Sequence, residues 1–228
     1  MESNTEPQPA FPPLETDRLI LRMFDPSRPA DYAAILAIYD GPYAHRTVGN
    51  LGLSTAEDVD NRCRKFGPRP QQPQPQSPSS SSTSGSVTPT TFPTHPWHLI
   101  YLRAQPDRGV IGMTSLFHRR PLPSPDLVYY IHEEYTGRGY ATEAGTAALR
   151  WWTDAMGVQD IWAGIFDTNH ASQRVARKIG LVVDGGVVRL VDANGVVREA
   201  RAFVQPASVE RKGRWLDGVV VDVREKRD

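Results

Sequence analysis

Gly137-Arg138-Gly139 has the clearest capacity for chemistry in this chain. A β-rich run ending at Glu133-Glu134 precedes it, and a segment with helical spacing follows. Glycines let main-chain N–H groups turn inward with no Cβ in the way. A helix start directly after them adds unpaired donors and the positive end of its dipole. Strand, glycine turn and helix N-terminus, in that order, can hold a phosphate. Groups able to move protons are sparse nearby. Glu143 falls in the helix's first turn, where the dipole alone favours a carboxylate, and reads as structural or substrate-orienting. His118 and His132 stand singly, as surface or core histidines do. Asn169 can cap a second, shorter helix.

The elements that must position these groups follow from periodicity. Ala141, Ala144, Gly145, Ala148, Leu149, Trp152 and Met156 recur on one helical face, with Glu143, Arg150 and Asp154 opposite, and Gly157 supplies the stop. Small residues in the first turns let this helix lie close to a sheet. Upstream, Leu14 to Phe24 reads as a strand, Asp31 to Tyr39 as a helix carrying Ala34, Ile35, Ile38 and Tyr39, and Ser54-Thr55-Ala56-Glu57 as a capping box, with Ser54 as its cap, opening a helix to about Phe66. Strands are predicted at Trp97 to Arg103, Val110 to His118, the run before the glycine turn, and Asp160 to Phe166. Asn169 to Ile179 is a short helix with Val175, Ala176 and Ile179 inward. Strands at Val182 to Val191, Val196 to Val204 (after an Asn194-Gly195 hairpin turn) and Trp215 to Val223 complete the chain. The order predicts a mixed α/β sheet and argues against a doubly wound nucleotide fold, whose acidic landmark about 20 residues after the glycine turn is absent in the expected strand.

Composition bounds the rest. The chain has 228 residues and a formal net charge of zero, so nothing draws it in bulk to nucleic acid or anionic lipid. The single cysteine, Cys63, excludes an internal disulfide and a cysteine-based metal site and points to a reducing compartment. No stretch reaches the ~20 apolar residues needed to span a bilayer, and Met1 to Pro13 is a polar, proline-rich tail rather than a signal sequence. The expectation is a cytoplasmic protein with no metal, no nucleic acid and no membrane partner. Gly67 to Pro96, Pro/Gln-rich and then Ser/Thr-rich, has almost nothing to bury and is expected to be a disordered insertion in one domain spanning 14–223. Arg224 to Asp228 reads as a charged tail.

Four stretches together resemble a known family. They are Glu15-Thr16-Asp17-Arg18-Leu19-Ile20-Leu21-Arg22, then Gly137-Arg138-Gly139-Tyr140-Ala141-Thr142-Glu143-Ala144, then Asp167-Thr168-Asn169-His170-Ala171-Ser172 with Lys178-Ile179-Gly180-Leu181, and Gly213-Arg214-Trp215-Leu216-Asp217-Gly218-Val219-Val220. In this order they resemble the GCN5-related N-acetyltransferases (GNAT), in the ribosomal-protein N-terminal acetyltransferase (RimJ/RimL-type) branch. The resemblance implies a GNAT fold of α/β (α+β) class: a mostly antiparallel mixed sheet with a splayed strand pair, flanked by helices. It implies acetyl-CoA as donor, with the diphosphate on Thr136, Gly137, Arg138, Gly139, Tyr140 and Ala141. Thr136 stands where the family begins its loop with Gln or Arg. Tyr129, Tyr130 and Ile131 match the strand that pairs with the pantetheine arm; Asn169 and Ser172 match polar cofactor contacts.

The implied reaction is direct transfer of acetyl from the thioester to a primary amine, either a protein N-terminus or a small-molecule amine, by a monomer or homodimer. Most of the rate then comes from holding the reactants at near-attack distance. A main-chain N–H near Ile131 polarises the carbonyl, and a base must deprotonate the amine. By resemblance that base is Asp126. The tyrosine that many members place four residues after the Ser172 position is Ala176 here, so Ser172, a water or solvent protonates the leaving thiolate. Asp40, Tyr43 and His45 fall where the family builds its acceptor pocket. The alternative is a non-catalytic acyl-CoA-binding or protein-interaction module that kept the fold.

Overall fold

The computed structural model describes residues 11–68, 91–119, 122 and 124–222. Residues 1–10 of the expected N-terminal tail, 69–90 of the expected insertion and 224–228 lie outside the described residues. The elements in chain order are β1 (Leu14–Glu15), β2 (Leu19–Met23), α1 (Pro29–Asp40), α2 (Pro42–Thr47), α3 (Ala56–Phe66), β3 (Trp97–Leu102), β4 (Gly112–Phe117), β5 (Asp126–Ile131), α4 (Tyr140–Arg150), β6 (Trp162–Phe166), α5 (His170–Lys178), β7 (Val187–Val191), β8 (Val197–Val204), α6 (Pro206–Lys212) and β9 (Val220–Asp222). Among the described residues the strands form one mixed sheet ordered β1-β2-β3-β4-β5-β6-β8-β7-β9.

Two pairs are parallel, β5 with β6 and β7 with β9; the others are antiparallel. β4 and β5 pair over six positions, from Gly112↔Ile131 to Phe117↔Asp126. β5 and β6 share one register pair, Asp126↔Trp162. The expected splay therefore lies between β5 and β6. Strand alternation divides β5 between two layers. Val128 and Tyr130 pack with Trp97, Met113 and Phe117 under α1–α3, while Leu127, Tyr129 and Ile131 pack with Leu116, Ala144 and Ala148 under α4. A third apolar cluster, around Trp162, Phe166, Val188 and Leu216, closes the far end of the sheet.

Most element types match the sequence reading, and the departures have local causes. The single strand expected over Leu14 to Phe24 is broken by a turn at Thr16–Arg18, closed by Thr16 N donating to Leu19 O. The α3 cap is Thr55, not Ser54. Thr55 Oγ1 accepts from Asp58 N while the Asp58 carboxylate accepts from Thr55 N, so the box is displaced by one residue. The strand expected from Val182 is confined to β7, because Gly185 and Gly186 are pressed against Val204, Ala202 and Asp217 where a Cβ would collide. Val182 makes only an isolated bridge to Val204. Proline starts two helices that apolar spacing did not reveal, Pro42 for α2 and Pro206 for α6. Trp215 lies in a turn ahead of β9 rather than in a strand. Beyond α4 the chain widens into one π-helical turn at Trp151–Ala155, with Met156 N donating to Trp151 O, before Gly157 at φ 67° ends it.

Both flanks of the expected insertion are packed. Phe92 stacks on Trp152 with centroids 6.4 Å apart, His95 is buried with Nε2 2.9 Å from Asp60 Oδ1, and Pro96 O accepts from Leu116 N. Residues 92–96 thus belong to the packed domain, because their aromatic and apolar groups had a core to enter. Phe11, assigned to the tail, likewise packs edge-on against Trp151. A Cβ on Gly67 would stand 3.7 Å from Thr94 O, so the chain leaves and re-enters at neighbouring points. Excising Gln71 to Thr91 is expected to shift the melting temperature by no more than about 2–3 °C. Loop closure changes by only ~0.6 kcal/mol per doubling of length, and 1 kcal/mol is worth about 2–4 °C at this size. Thermal denaturation of the shortened chain checks this; a collapse would mean that the segment packs.

Candidate active site

The gap between β5 and β6 opens into a crevice of about 330 Å³. It runs from the glycine turn to the buried start of β5. Its mouth is built as the sequence demands. Gly137 and Gly139 sit at φ 76° and 83°, left-handed values that a side chain resists, and a Cβ on Gly137 would meet only open space. Glu143 N makes an early α4 bond, to Gly139 O, and no side chain caps the amides that precede it. Those free donors and the helix dipole form an anion cradle. Gly145 brings α4 close to its neighbours, a Cβ there lying 3.5 Å from Ile179 and 3.8 Å from Tyr129.

A clasp from the other end of the chain fixes this turn. Glu143 Oε1 accepts from Thr16 Oγ1 at 2.6 Å and from Arg18 N at 2.9 Å, while Oε2 accepts from Arg18 Nε at 2.7 Å. Arg18 Nη1 then donates to Arg138 O at 2.9 Å, and its guanidinium lies 4.7 Å over the Tyr140 ring. Burial opposes ionisation of Glu143, but the bonds from Thr16 and Arg18 hold its carboxyl below the usual range. Of the two roles read for Glu143, the geometry shows the structural one.

Along the wall, strand alternation decides which main-chain groups face the gap. Leu116 N donates toward β3, so Met113, Ser115 and Phe117 face β5 and pair with Tyr130, Val128 and Asp126. The amides of Tyr129 and Ile131 therefore turn toward β6, past its one register pair. Across the crevice, Asn169 caps α5 by accepting from Ser172 N at 3.1 Å, and its Nδ2 reaches Thr47 O at 3.4 Å. Ser172 Oγ donates to Tyr129 Oη at 3.1 Å, and Tyr129 Oη donates to Ser172 O at 2.9 Å. Burial raises the Tyr129 phenol well above its ordinary range, so it stays protonated.

The closed end is charged. Asp126 is 4% exposed and ion-paired with Arg119, itself 7% exposed, at 2.8 Å; its Oδ1 has no partner. It is therefore not a solvated turn carboxylate. Burial pushes its carboxyl up, against the pull of Arg119 and Arg62. Arg62, on α3 and 2% exposed, lies 4.8 Å over the Phe117 ring; burial, then Arg119, brings its guanidinium down to about 10.

Asp126, Tyr129, Tyr130, Ile131, Thr136, Gly137, Gly139, Tyr140, Ala141, Asn169 and Ser172 all line this one crevice. Arg138 does not; its side chain turns back over Tyr135, and it contributes main chain. Of Asp40, Tyr43 and His45, Tyr43 lines the crevice, whereas Asp40 and His45 do not. His118 is held by Leu122 O at 2.7 Å, and His132 stands edge-on to Tyr130 outside the crevice, burial lowering its basicity. Sequence reasoning missed Arg119 and Arg62, which carry no periodic or motif signal, and Arg174 and Lys178, which the α5 period would have placed beside Ala171.

A sheet opened at one parallel pair, with a glycine turn and helix start at the mouth of the gap, is the architecture of the GNAT fold. Residues 18–182 match the Acetyltransferase (GNAT) domain, and the chain belongs to that family; it is an N-acetyltransferase. Family members use acetyl-CoA. The chain is 25% identical over 195 residues to an uncharacterized N-acetyltransferase, YoaA, of Bacillus subtilis (strain 168), covering 85% of this chain and 96% of that one. In fold it is similar to an acetyltransferase from Agrobacterium tumefaciens str. C58 (TM-score 0.56, 19% identity, 86% of this chain and 94% of that one). It is also similar in fold to RimL, a ribosomal L7/L12 α-N-protein acetyltransferase solved with coenzyme A (TM-score 0.55, 15% identity, 85% and 97%). Among the described residues no helix is long and apolar enough to cross a membrane.

Proposed function

We propose that this chain transfers acetyl directly from acetyl-CoA to a primary amine, with both reactants meeting in the β5–β6 crevice. The observation that carries this reading is the crevice itself, one continuous space from the glycine turn to Asp126. The residues present fit the donor. Thr136 N and Oγ1 both donate to Glu133 O, so it is Gly137 to Ala141 that offer main-chain N–H groups to the diphosphate; Arg174 and Lys178 offer cations to the phosphates, and the inward amides of Tyr129 and Ile131 suit the pantetheine arm. Asn169 supports this wall as the α5 cap.

Acetyl-CoA supplies an activated acyl group; the chain aligns it and handles the protons. The amine nitrogen attacks the thioester carbonyl, whose developing oxyanion is stabilised by an N–H near Ile131. The C–N bond forms, the C–S bond breaks, and sulfur leaves as thiolate. Asp126 Oδ1, free of partners but about 16 Å along β5 from Ile131, takes the amine proton through a chain of waters. Ser172 Oγ, whose proton rests against the Tyr129 phenol oxygen, turns to protonate the departing thiolate and regains a proton from solvent.

Mass-spectrometric detection of acetylated products from an amine panel, with calorimetric titration of CoA, tests the reading. Binding of CoA and transfer to at least one amine are expected; failure of both would end it. Glu143→Gln is expected to weaken CoA binding about tenfold while shifting the melting temperature by only a few degrees. It loosens the clasp through a charge-assisted bond worth roughly 1.5–3 kcal/mol without emptying the core. Calorimetry and thermal denaturation read the two effects separately.

A further inference from the structure

The closed end of the crevice holds more positive than negative charge. Asp126, Arg119, Arg174 and Lys178 are the charged residues among the described lining, and Asp126 is the one carboxylate. It is already engaged by Arg119. Behind the pair lies Arg62, whose Nε has no partner and whose charge rests on the faces of Phe117 and Phe66 at 4.8 and 5.6 Å. Two buried guanidiniums thus face one carboxylate. Asp192, across the small neighbouring pocket that Arg119 also lines, does not balance them. It is taken by Arg198 at 3.2 Å and by the amides of Asn194 and Val196. His118 is committed to Leu122 O.

Two unsatisfied atoms belong to the pair itself. Arg119 Nε has a proton and no acceptor, although its side chain is 8% exposed; Asp126 Oδ1 is an acceptor with no donor. Buried polar atoms are nearly always satisfied, so an open donor and an open acceptor on one ion pair call for a complement. We infer that the acceptor is a small amine bearing its own carboxylate, which seats that carboxylate on Arg119 and extends its amine up the crevice toward the thioester, the proton passing to Asp126 through water. The inference rests on the acetyl-transfer reading and narrows its acceptor. The acceptor's carboxylate answers the open Arg119 donor, and the water that carries the proton answers Asp126 Oδ1. That carboxylate also supplies the charge that the two arginines lack, where an uncompensated buried charge is costly. A polyamine would instead bring like charge to a cationic end with no free carboxylate. Size points the same way, since a crevice of about 330 Å³ must also take the pantetheine arm.

The test uses the unmodified protein with glycine, β-alanine and γ-aminobutyrate, each against its own amide, and with 1,4-diaminobutane. At least one carboxylate member should exceed its amide by roughly tenfold or more in kcat/KM, the size expected of a charge-assisted bidentate contact. Arg119→Gln should bring that ratio within about twofold, since a neutral amide loses the charge-assisted part of the contact. Calorimetric titration with the same pairs reads the anion preference without turnover and on unmutated protein. If amides or the diamine are acetylated as well as the carboxylates, or bind as well, the inference is overturned while acetyl transfer stands. Preferential carboxylate binding with no transfer to any amine would support the anion site and overturn the catalytic reading.

Discussion

Gly139→Glu is expected to abolish CoA binding, with affinity falling by at least about a hundredfold. Three effects act in the same direction. Gly139 sits at φ 83°, and a non-glycine residue held there costs on the order of 1–3 kcal/mol. Its Cβ would lie 3.4 Å from Arg18 Nη2, ordinary contact in itself, but the longer glutamate side chain must share that space with the clasp that braces Arg138. The new carboxylate would also stand beside the free α4 amides and compete with, or repel, the phosphates. Gly137→Ala is the gentler control: it brings the same backbone strain with open space around the added carbon. Calorimetry with CoA, and thermal denaturation to confirm folding, decide the matter. A folded Gly139→Glu protein that binds CoA as tightly as the parent would remove the cradle from the site.

The second large effect is expected at Asp126. Asp126→Ala leaves Arg119 and Arg62 buried with no carboxylate between them, and breaking a buried pair in this way costs about 3–5 kcal/mol. At this chain length that corresponds to a fall of roughly 10 °C or more in melting temperature. The double variant Asp126→Asn with Arg119→Gln removes both charges with little change of shape, and should recover part of the loss because no half-pair remains. Activity, read against Arg119→Gln alone, then separates two roles. A residue that only balances charge allows the double variant some transfer, whereas a proton acceptor leaves it folded and inactive. Thermal melts and single-turnover acetyl transfer, measured on the same preparations, distinguish these outcomes.

The primary sequence alone determined the local parts of this molecule. Gly137 and Gly139 need no tertiary context to read as a turn, because only glycine takes those dihedrals cheaply, and the α4 face from Ala144 to Leu149 follows from a 3.6-residue period. Four motifs in order carried the fold. Where local signals competed, boundaries moved: adjacent hydroxyls at Ser54 and Thr55 are equivalent caps on paper, and the Gly185-Gly186 pair looked like strand until Val204 and Asp217 closed on it. Two arrangements were decided only in three dimensions. The clasp joins Arg18 to Glu143 across 125 positions, and the closed end joins α3, the residues after β4 and the start of β5 through Arg62, Arg119 and Asp126. Neither has a period or a spacing. Each exists because the sheet brings charged groups out of water together, and what they do depends on which opposite charges share that space.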